Sequence, residues 1–337
     1  MPKLLLTADL HLTDRSKDEY RWSIFPWLKK QAINRRADGI CILGDITHFK
    51  DEHTGSFLNR IIDAFIDLSE VCPIGVLMGN HDYMDESAPS LRQLGLLPNV
   101  SWFGSPKRLR WCGADVFWLP HQKNAAEFER LVKAEFAKSM PDLVFVHQCI
   151  EGSESSSGQA LGGVNPYNMF PKGAPVFAGD IHVPQTVANR VTYTGAPYPI
   201  DFGDHYSPRI IEYTTDTRTS VSIKRSTICK RTLRITDLKE LEKEELFEGD
   251  HIRIIFELSR SEIASWHSYR ERIEQLFSKM GVILDGVELR TAVNAPIAEP
   301  QLTETHSTAS ILDAYGKAAN LPEDFVAEGK RLLDVSA

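Results

Sequence analysis

Five short segments of the chain carry the residue types that bind divalent metal ions. Each contains aspartate, asparagine or histidine, and each follows an apolar run that is typical of a buried strand. Ligand sites of α/β sheets lie outside the carboxyl ends of the strands, so we expect five strand ends at the rim of one sheet to form a single cleft. The segments are Asp9-Leu10-His11, Gly44-Asp45-Ile46-Thr47-His48, Gly79-Asn80-His81-Asp82, His147 and Gly179-Asp180-Ile181-His182.

The chemistry that suits these residues is hydrolysis of a phosphate ester by two metal ions. Carboxylate, amide and imidazole ligands together favour Mn²⁺, Fe²⁺ or Zn²⁺. Two neighbouring ions that share a carboxylate stabilise the attacking and the leaving oxygen of a displacement at phosphorus, and a histidine that is not a ligand can protonate the leaving oxygen. Each segment alone is weak evidence, so the prediction depends on their joint occurrence after strands. The glycines before Asp45, Asn80 and Asp180 suit sharp strand exits.

Strands and helices alternate in the first part of the chain. Apolar runs predict strands over Lys3–Ala8, Ile40–Leu43 and Ile74–Met78, separated by helices at about Arg21–Arg36 and over Ser56–Leu68. This alternation indicates a layered α/β fold.

A second group of elements follows. Glu151–Pro175 is rich in serine, glycine and proline, which predicts a long mobile surface loop. A helix is predicted over Asn124–Ser139. The predicted strands are Trp102–Phe103, Arg108–Trp111, Asp115–Leu119, Leu143–Val146, Pro175–Ala178, Val191–Thr194, Arg209–Thr214 and Val221–Ser226.

The chain changes character near residues 230–245, where we place a domain boundary. Ile252–Leu258 and Val282–Val293 are strand-like, with a helix between them that ends near Met280, and they predict a small β-α-β domain. Two amphipathic helices, Thr308–Ala319 and Pro322–Leu333, are predicted after a linker.

Composition excludes several classes of protein. Of 337 residues, 42% are hydrophobic and 25% are charged, which is typical of a globular chain. No run approaches the roughly 18 apolar residues that a membrane span needs, and Asp9 comes too early for a signal peptide. Five cysteines without a CxxC pair predict reduced thiols and a cytoplasmic protein.

Net charge argues against a free-standing nucleic-acid binder, because the chain has a formal charge of −8. One segment is different: Arg209–Arg234 has seven basic and two acidic residues. It is either a contact for a DNA backbone or a solvated strand face.

The motif order DxH, GD, GNHD, H and GDxH resembles the calcineurin-like metallophosphoesterase superfamily. The resemblance implies an α/β (α+β) fold, a β-sandwich flanked by helices, with two bound metals. By matching position, His81 would be catalytic and Asp82 would orient it. The first metal would take Asp9, His11, Asp45 and His182, and the second Asp45, Asn80, His147 and Asp180. Most relatives have histidine in place of Asp180, so zinc is less expected; Mn²⁺ is the first expectation, with Fe²⁺ and Mg²⁺ as alternatives.

Within that superfamily, the chain resembles the nuclease subunit of SbcCD-type DNA-repair complexes, in a short phage-like form. His48, three residues after Asp45, matches a histidine that assists processing of DNA ends, and Thr194–Asp204 is similar to the G-[AS]-P…F-[GD]-[DE] segment that closes the nuclease domain. The resemblance implies a nuclease domain at 1–235, a capping domain at 236–298 and a linker with a helix pair at 299–337 that binds a coiled-coil ATPase.

That resemblance predicts a DNA exonuclease and endonuclease that acts in repair, recombination or replication with an SbcC-type ATPase, as a homodimer within the complex. It would act in the cytoplasm of a bacterial or phage-infected cell. Two other functions stay open. One is a phosphatase for small-molecule or protein phosphomonoesters, and the other is a scaffold of the same fold that has lost its metals. His48 as a plain loop residue and a terminal helix pair packed on its own domain also stay open.

Overall fold

Three β-sheets and five α-helices make up the part of the chain that the structure describes. The structure is a computed structural model, which describes residues 2–259, 262–291, 312, 316 and 325–327. The strands are β1 (Lys3–Thr7), β2 (Gly39–Leu43), β3 (Ile74–Leu77), β4 (Val100–Phe103), β5 (Lys107–Trp111), β6 (Ala114–Leu119), β7 (Leu143–His147), β8 (Val176–Gly179), β9 (Gln185–Val187), β10 (Val191–Tyr193), β11 (Arg209–Thr214), β12 (Thr219–Lys224), β13 (Lys230–Ile235), β14 (His251–Leu258) and β15 (Ile283–Thr291). The helices are α1 (Ile24–Arg35), α2 (Gly55–Ser69), α3 (Ala125–Lys138), α4 (Pro166–Met169) and α5 (Trp266–Met280).

Two six-stranded sheets form a sandwich with helices outside. The first has the order β12-β11-β1-β2-β3-β4 and the second β5-β6-β7-β8-β10-β9. Alternate side chains of a strand point to opposite faces, and β1 shows the result: Leu4 and Leu6 enter the core between the sheets, while Leu5 packs under the outer helices. The predicted fold, a sandwich flanked by helices, is confirmed.

The strands that precede the candidate site run in the same direction within each sheet. β1, β2 and β3 are parallel neighbours in the first sheet, and β6, β7 and β8 are parallel neighbours in the second. Their carboxyl ends therefore meet at one edge of the sandwich. The predicted ligands come from two sheets, however, and the expectation of a single sheet is wrong.

The predicted helices form with small changes at their ends. Thr54 caps α2 by accepting a hydrogen bond from the Phe57 backbone N–H at 3.2 Å, and Asn124 caps α3 in the same way. α1 begins at Ile24, later than predicted, because Ser16–Ser23 forms a 3₁₀ helix instead. A 3₁₀ helix suits this segment because it turns the buried Arg21 and Trp22 inward.

The segment Glu151–Pro175, predicted as a long mobile surface loop, packs part of its length against the rest of the fold. It contains α4, and its apolar residues Val164, Met169 and Phe170 are buried in the core outside the second sheet. The Phe170 ring packs edge-on against Phe128 of α3. These apolar side chains fix the segment although its serines and glycines suggest freedom.

The third sheet is parallel and has the order β13-β14-β15, with α5 between its last two strands. β13 ends at residue 235, the last residue of the predicted first domain. This strand nevertheless belongs to the third sheet, so the sheet begins before the predicted boundary. Of the predicted strand region Val282–Val293, the described residues Ile283–Thr291 form one strand, β15. The predicted helices Thr308–Ala319 and Pro322–Leu333 lie outside the described residues apart from 312, 316 and 325–327, which are helical. Within the described ranges, no helix has both the length and the apolar character that crossing a membrane requires.

Trp118 of β6 packs the two sheets together. Its ring is fully buried and stacks on Phe103 of β4 with the centroids 4.0 Å apart, which joins one sheet to the other. Trp118→Ala should lower the free energy of unfolding by about 3–5 kcal/mol, because the substitution leaves a cavity in the core between the two sheets. Urea denaturation measures this loss. Trp27→Ala, at a half-buried position on α1, is the control and should lose less; equal losses would contradict this role of Trp118.

Candidate metal centre

The structure brings the predicted ligands together at the edge of the sandwich. Asp45 lies between His147 and His11. Its Oδ1 is 3.3 Å from Nε2 of His147, and its Oδ2 is 3.6 Å from Nε2 of His11. His147 Nε2 is also 3.0 Å from the Asn80 Oδ1 and 3.8 Å from the Asp180 Oδ1. Each Asp45 oxygen therefore faces a different set of ligand atoms.

Two groups of side chains that include Asp45 are close enough to hold an ion. Asp9, Asp45 and His147 form one such group, and His11, Asp45 and His81 form another, each with ligand atoms within 4.8 Å of one another. His182 belongs with the second group, because its Nε2 is 3.0 Å from Nε2 of His11. Asp45 is common to both groups, as expected of a bridging carboxylate.

The donor set fits divalent cations. Burial raises the pKa of Asp9 to about 7 and also raises the pKa of Asp180. Burial opposes charge on His147, but the nearby carboxylates, Asp45 first, raise its pKa well above the usual value. The buried carboxylates thus attract positive charge, which metal ions supply.

Two unpartnered atoms support the same conclusion. Asp9 Oδ2 and His11 Nδ1 are buried without a hydrogen-bond partner, and burial keeps the pKa of His11 well below its usual value, so its imidazole is neutral. A neutral imidazole and an ionised carboxylate are the forms that bind metal.

The backbone is strained where the ligands lie. Four of the predicted ligands have a left-handed φ that non-glycine residues seldom adopt: Asp9 at 56°, His11 at 42°, Asp45 at 53° and Asp180 at 97°. Such conformations persist only where surrounding contacts fix them, and they concentrate at functional sites.

The glycines of the GD and GN motifs make room for the side chains of His147 and Asp45. A Cβ on Gly44 would lie 2.1 Å from His147 Nδ1, and one on Gly179 would lie 2.8 Å from the same atom. A Cβ on Gly79 would lie 2.2 Å from Asp45 Oδ1. Of the three, Gly44 alone has a positive φ, 94°. Close packing on His147 and Asp45, more than the predicted sharp turns, therefore requires these glycines.

The family pattern implied that Asp82 orients His81, but the structure shows a different role for Asp82. Its buried carboxylate accepts hydrogen bonds from the backbone N–H groups of Gly79, Asp45, Ile46 and Thr47 at 2.8–3.2 Å. All four donors are backbone groups, so Asp82 binds the loop after β2 to the loop after β3. Its role is to hold Asp45 in place.

A backbone carbonyl orients His81 instead. The His81 Nδ1 lies 2.8 Å from the carbonyl oxygen of His48, and its backbone N–H donates to Asp45 Oδ1 at 2.8 Å. Because Nδ1 donates to a carbonyl, Nε2 is left for a ligand or substrate. The half-buried His48 ring is stacked on His81, with centroids 5.9 Å apart. His48 therefore contributes both a backbone anchor and a second imidazole beside the site.

Sequence reasoning missed two residues of the site. His121 follows β6, and its ring lies 6.4 Å from the His147 ring; its Nδ1 is hydrogen-bonded to the Tyr83 hydroxyl at 2.9 Å. Burial lowers the pKa of His121 to about 4, so this imidazole is neutral. The strand-end rule that found His147 could have found His121. Arg21, which donates to the His11 carbonyl, has no such signal.

Comparison with known proteins identifies the family. The sequence profile of the calcineurin-like phosphoesterases matches residues 2–184. A search of curated protein sequences found no match. Among solved structures, an archaeal phosphodiesterase is 13% identical with a TM-score of 0.38, over 66% of this chain and 99% of that chain. The Pseudomonas putida nuclease MPE is 14% identical with a TM-score of 0.29, over 65% of this chain and 87% of that chain.

The matched region spans more than half of the chain, and it contains every predicted metal ligand from Asp9 to His182. The chain therefore belongs to the calcineurin-like phosphoesterase family.

Proposed function

We propose that this chain is a metal-dependent DNA nuclease, with exonuclease and endonuclease activity, that works as the nuclease subunit of an ATPase–nuclease complex. The observation that carries the proposal is Asp45, whose two oxygens face two ligand groups, with His81 and His48 beside them. The family gives phosphoester hydrolysis. The choice of DNA rests on the paired histidines and on the resemblance of the motifs to SbcCD-type nuclease subunits.

Two divalent ions would be held by the side chains that converge on Asp45. By the family pattern, Asp9, His11, Asp45 and His182 would hold one ion, and Asp45, Asn80, His147 and Asp180 the other. In the structure, Asp9 also lies within reach of His147. When bound, the ions would neutralise charge on the phosphoryl oxygens and activate water. Asp180 makes the set that contains His147 more acidic than histidine would, which supports Mn²⁺ over Zn²⁺.

The histidines beside the ligands would handle the proton of the leaving oxygen. His81 Nδ1–H donates to the His48 carbonyl, so a proton on Nε2 is the one available for transfer to the departing oxygen. The His48 ring, stacked on His81, limits the directions from which substrate reaches that atom.

Three of the seven cations in the basic segment Arg209–Arg234 are hydrogen-bonded within the fold, which favours a structural role for them over contact with DNA. Arg225 donates to the Pro197 carbonyl at 3.1 Å, Lys230 to the Ile200 carbonyl at 3.0 Å, and Arg209 to Ser222 at 2.9 Å. Arg15 and Lys50 are better candidates for phosphate contacts. Both are exposed near His48, and the Arg15 guanidinium lies 4.6 Å above the Phe49 ring.

The alternative is a phosphatase for small-molecule or protein phosphomonoesters, since the same ligands serve both reactions. The discriminating assay uses the whole chain with Mn²⁺, on linear duplex DNA and on p-nitrophenyl phosphate, with and without a co-expressed SbcC-type ATPase. We expect DNA cleavage that the ATPase increases. Turnover of the monoester without any DNA cleavage, with the partner present, would favour the phosphatase.

Asp45→Asn should remove both ions, because each ligand group depends on this carboxylate. Metal analysis of the purified protein should fall from about two Mn²⁺ per chain to below one, with loss of cleavage. Asp63→Asn, on the exposed face of α2, is the matched control and should keep the metal. A variant that still holds both ions would show that Asp45 does not bridge them.

His81→Ala should keep the metal content but lose about 10²–10⁴-fold in the rate of DNA cleavage, since a proton donor is removed. Single-turnover kinetics with excess enzyme measures the loss separately from DNA binding. A leaving group that needs no proton, such as p-nitrophenolate in bis-p-nitrophenyl phosphate, should be released with a smaller loss. Equal losses on both substrates would exclude His81 as the acid.

A further inference from the structure

We infer that Lys230, in the third sheet, is a positioning residue for the candidate metal centre, and that it acts through Asp18 and Arg21 on the carbonyl of His11. The inference rests on the proposed function, because it takes His11 as a metal ligand. It adds a link between the small β-α-β unit and the site.

Charged side chains join the third sheet to the sandwich. The Lys230 side chain, at the start of β13, is only 6% exposed, and its Nζ lies 3.8 Å from the Asp18 Oδ1. The cation also lies 5.4 Å from the Tyr20 ring and 5.6 Å from the Phe202 ring, which favour a positive charge there. Lys230 is therefore held at the junction by an acid, a carbonyl and two aromatic rings.

Asp18 bridges Lys230 and Arg21. Its Oδ1 is 3.1 Å from the Arg21 Nη2, and its Oδ2 accepts a hydrogen bond from the Thr13 hydroxyl at 2.9 Å. The side chains of Asp18 and Arg21 are 5% and 4% exposed, so their charges interact in a medium of low polarity. Asp18 thus balances two cations, one from each side of the junction.

Arg21 in turn fixes the peptide group of His11. Its Nη1 donates to the His11 carbonyl, while the His11 N–H donates to the Asp45 carbonyl at 2.9 Å. His11 has a left-handed φ of 42°, which must be maintained by contacts of this kind. Arg21 therefore helps to hold the backbone from which the His11 imidazole points at Asp45.

Loss of the Lys230 charge would disturb this arrangement. Lys230 and Arg21 both lie at Asp18 Oδ1 and repel each other, so loss of the Lys230 charge removes a force that holds Arg21 away from Asp18. Arg21 would move toward Asp18 and away from the His11 carbonyl. The position of the third sheet would then determine how well His11 is placed for metal.

Lys230→Met tests the link, because methionine keeps the length of the side chain and removes its charge. Titration calorimetry of chelator-treated protein with MnCl₂ should show about 10-fold weaker binding at one site, as for other residues that orient ligands. Arg231→Met is the matched control. It removes a charge from the next position of β13, where the guanidinium pairs with Glu244 at 3.2 Å within the same unit, and it should leave the affinity unchanged.

A second measurement needs no metal. Hydrogen exchange of the backbone amides of His11 and Leu12, which donate to the Asp45 and Ile46 carbonyls, should be faster in Lys230→Met and unchanged in Arg231→Met. Asp18→Asn combined with Lys230→Met should lose no more Mn²⁺ affinity than Asp18→Asn alone, if Lys230 acts through Asp18.

The outcomes separate the two proposals. Unchanged affinity and exchange in Lys230→Met, with normal Mn²⁺ binding by the unsubstituted chain, would overturn the inference and leave the proposed function intact. Additive losses in the double variant would overturn the route through Asp18. An unsubstituted chain that binds no Mn²⁺ would overturn both.

Discussion

Buried carboxylates that converge on one cleft are the constraint to which the rest of the structure responds. Asp9 and Asp45 are almost completely buried, and Asp180 joins them at the same edge. Each carboxylate pays a desolvation penalty and repels the others, so the arrangement is stable only when positive charge is brought to it. The neutral imidazole of His11 and the imidazole of His147, whose pKa the carboxylates raise, belong to the same balance of charge. The left-handed backbone and the hydrogen bonds to Asp82 keep these side chains in place.

His147 shows how the site joins the two sheets. It is the last residue of β7 in the second sheet, yet its Nδ1 lies 2.7 Å from the carbonyl oxygen of Leu43 in β2 of the first sheet. A hydrogen bond from Nδ1–H directs Nε2 toward Asp45 and Asn80, where a metal ion would bind. The ring fills the space beside Gly44, which explains a glycine that turn geometry explains only in part. Packing between the sheets, with Trp118 at its centre, therefore determines the geometry of the ligands.

The sequence predicted the features that depend on neighbouring residues, such as helices and strand ends. It missed the features that depend on contacts between distant segments, such as the partner of each strand. Apolar runs and helical spacing located α2 and α3 closely, and strand ends located every ligand segment. The same runs are equally compatible with one sheet or two, because hydrophobicity does not specify a strand's partner. The family pattern likewise implied that Asp82 orients His81, whereas three of the four backbone donors to Asp82 lie 35 to 37 residues away along the chain. β9 was too short to show a pattern.

The acidic character of the chain bears on how a nuclease of this kind would hold DNA. Phosphate contacts need free cations, but Arg225 and Lys230 have backbone carbonyl partners and are buried. Arg108 is engaged by Asp115 and Glu135. On the proposed function, Arg15 and Lys50 near His48 would give this chain weak, salt-sensitive contact with a backbone. A partner subunit that supplies a basic channel would then provide most of the affinity, while the chain provides the metal ligands. On the proposed function, that division would explain how a chain with a net charge of −8 could act on DNA in a complex with an ATPase.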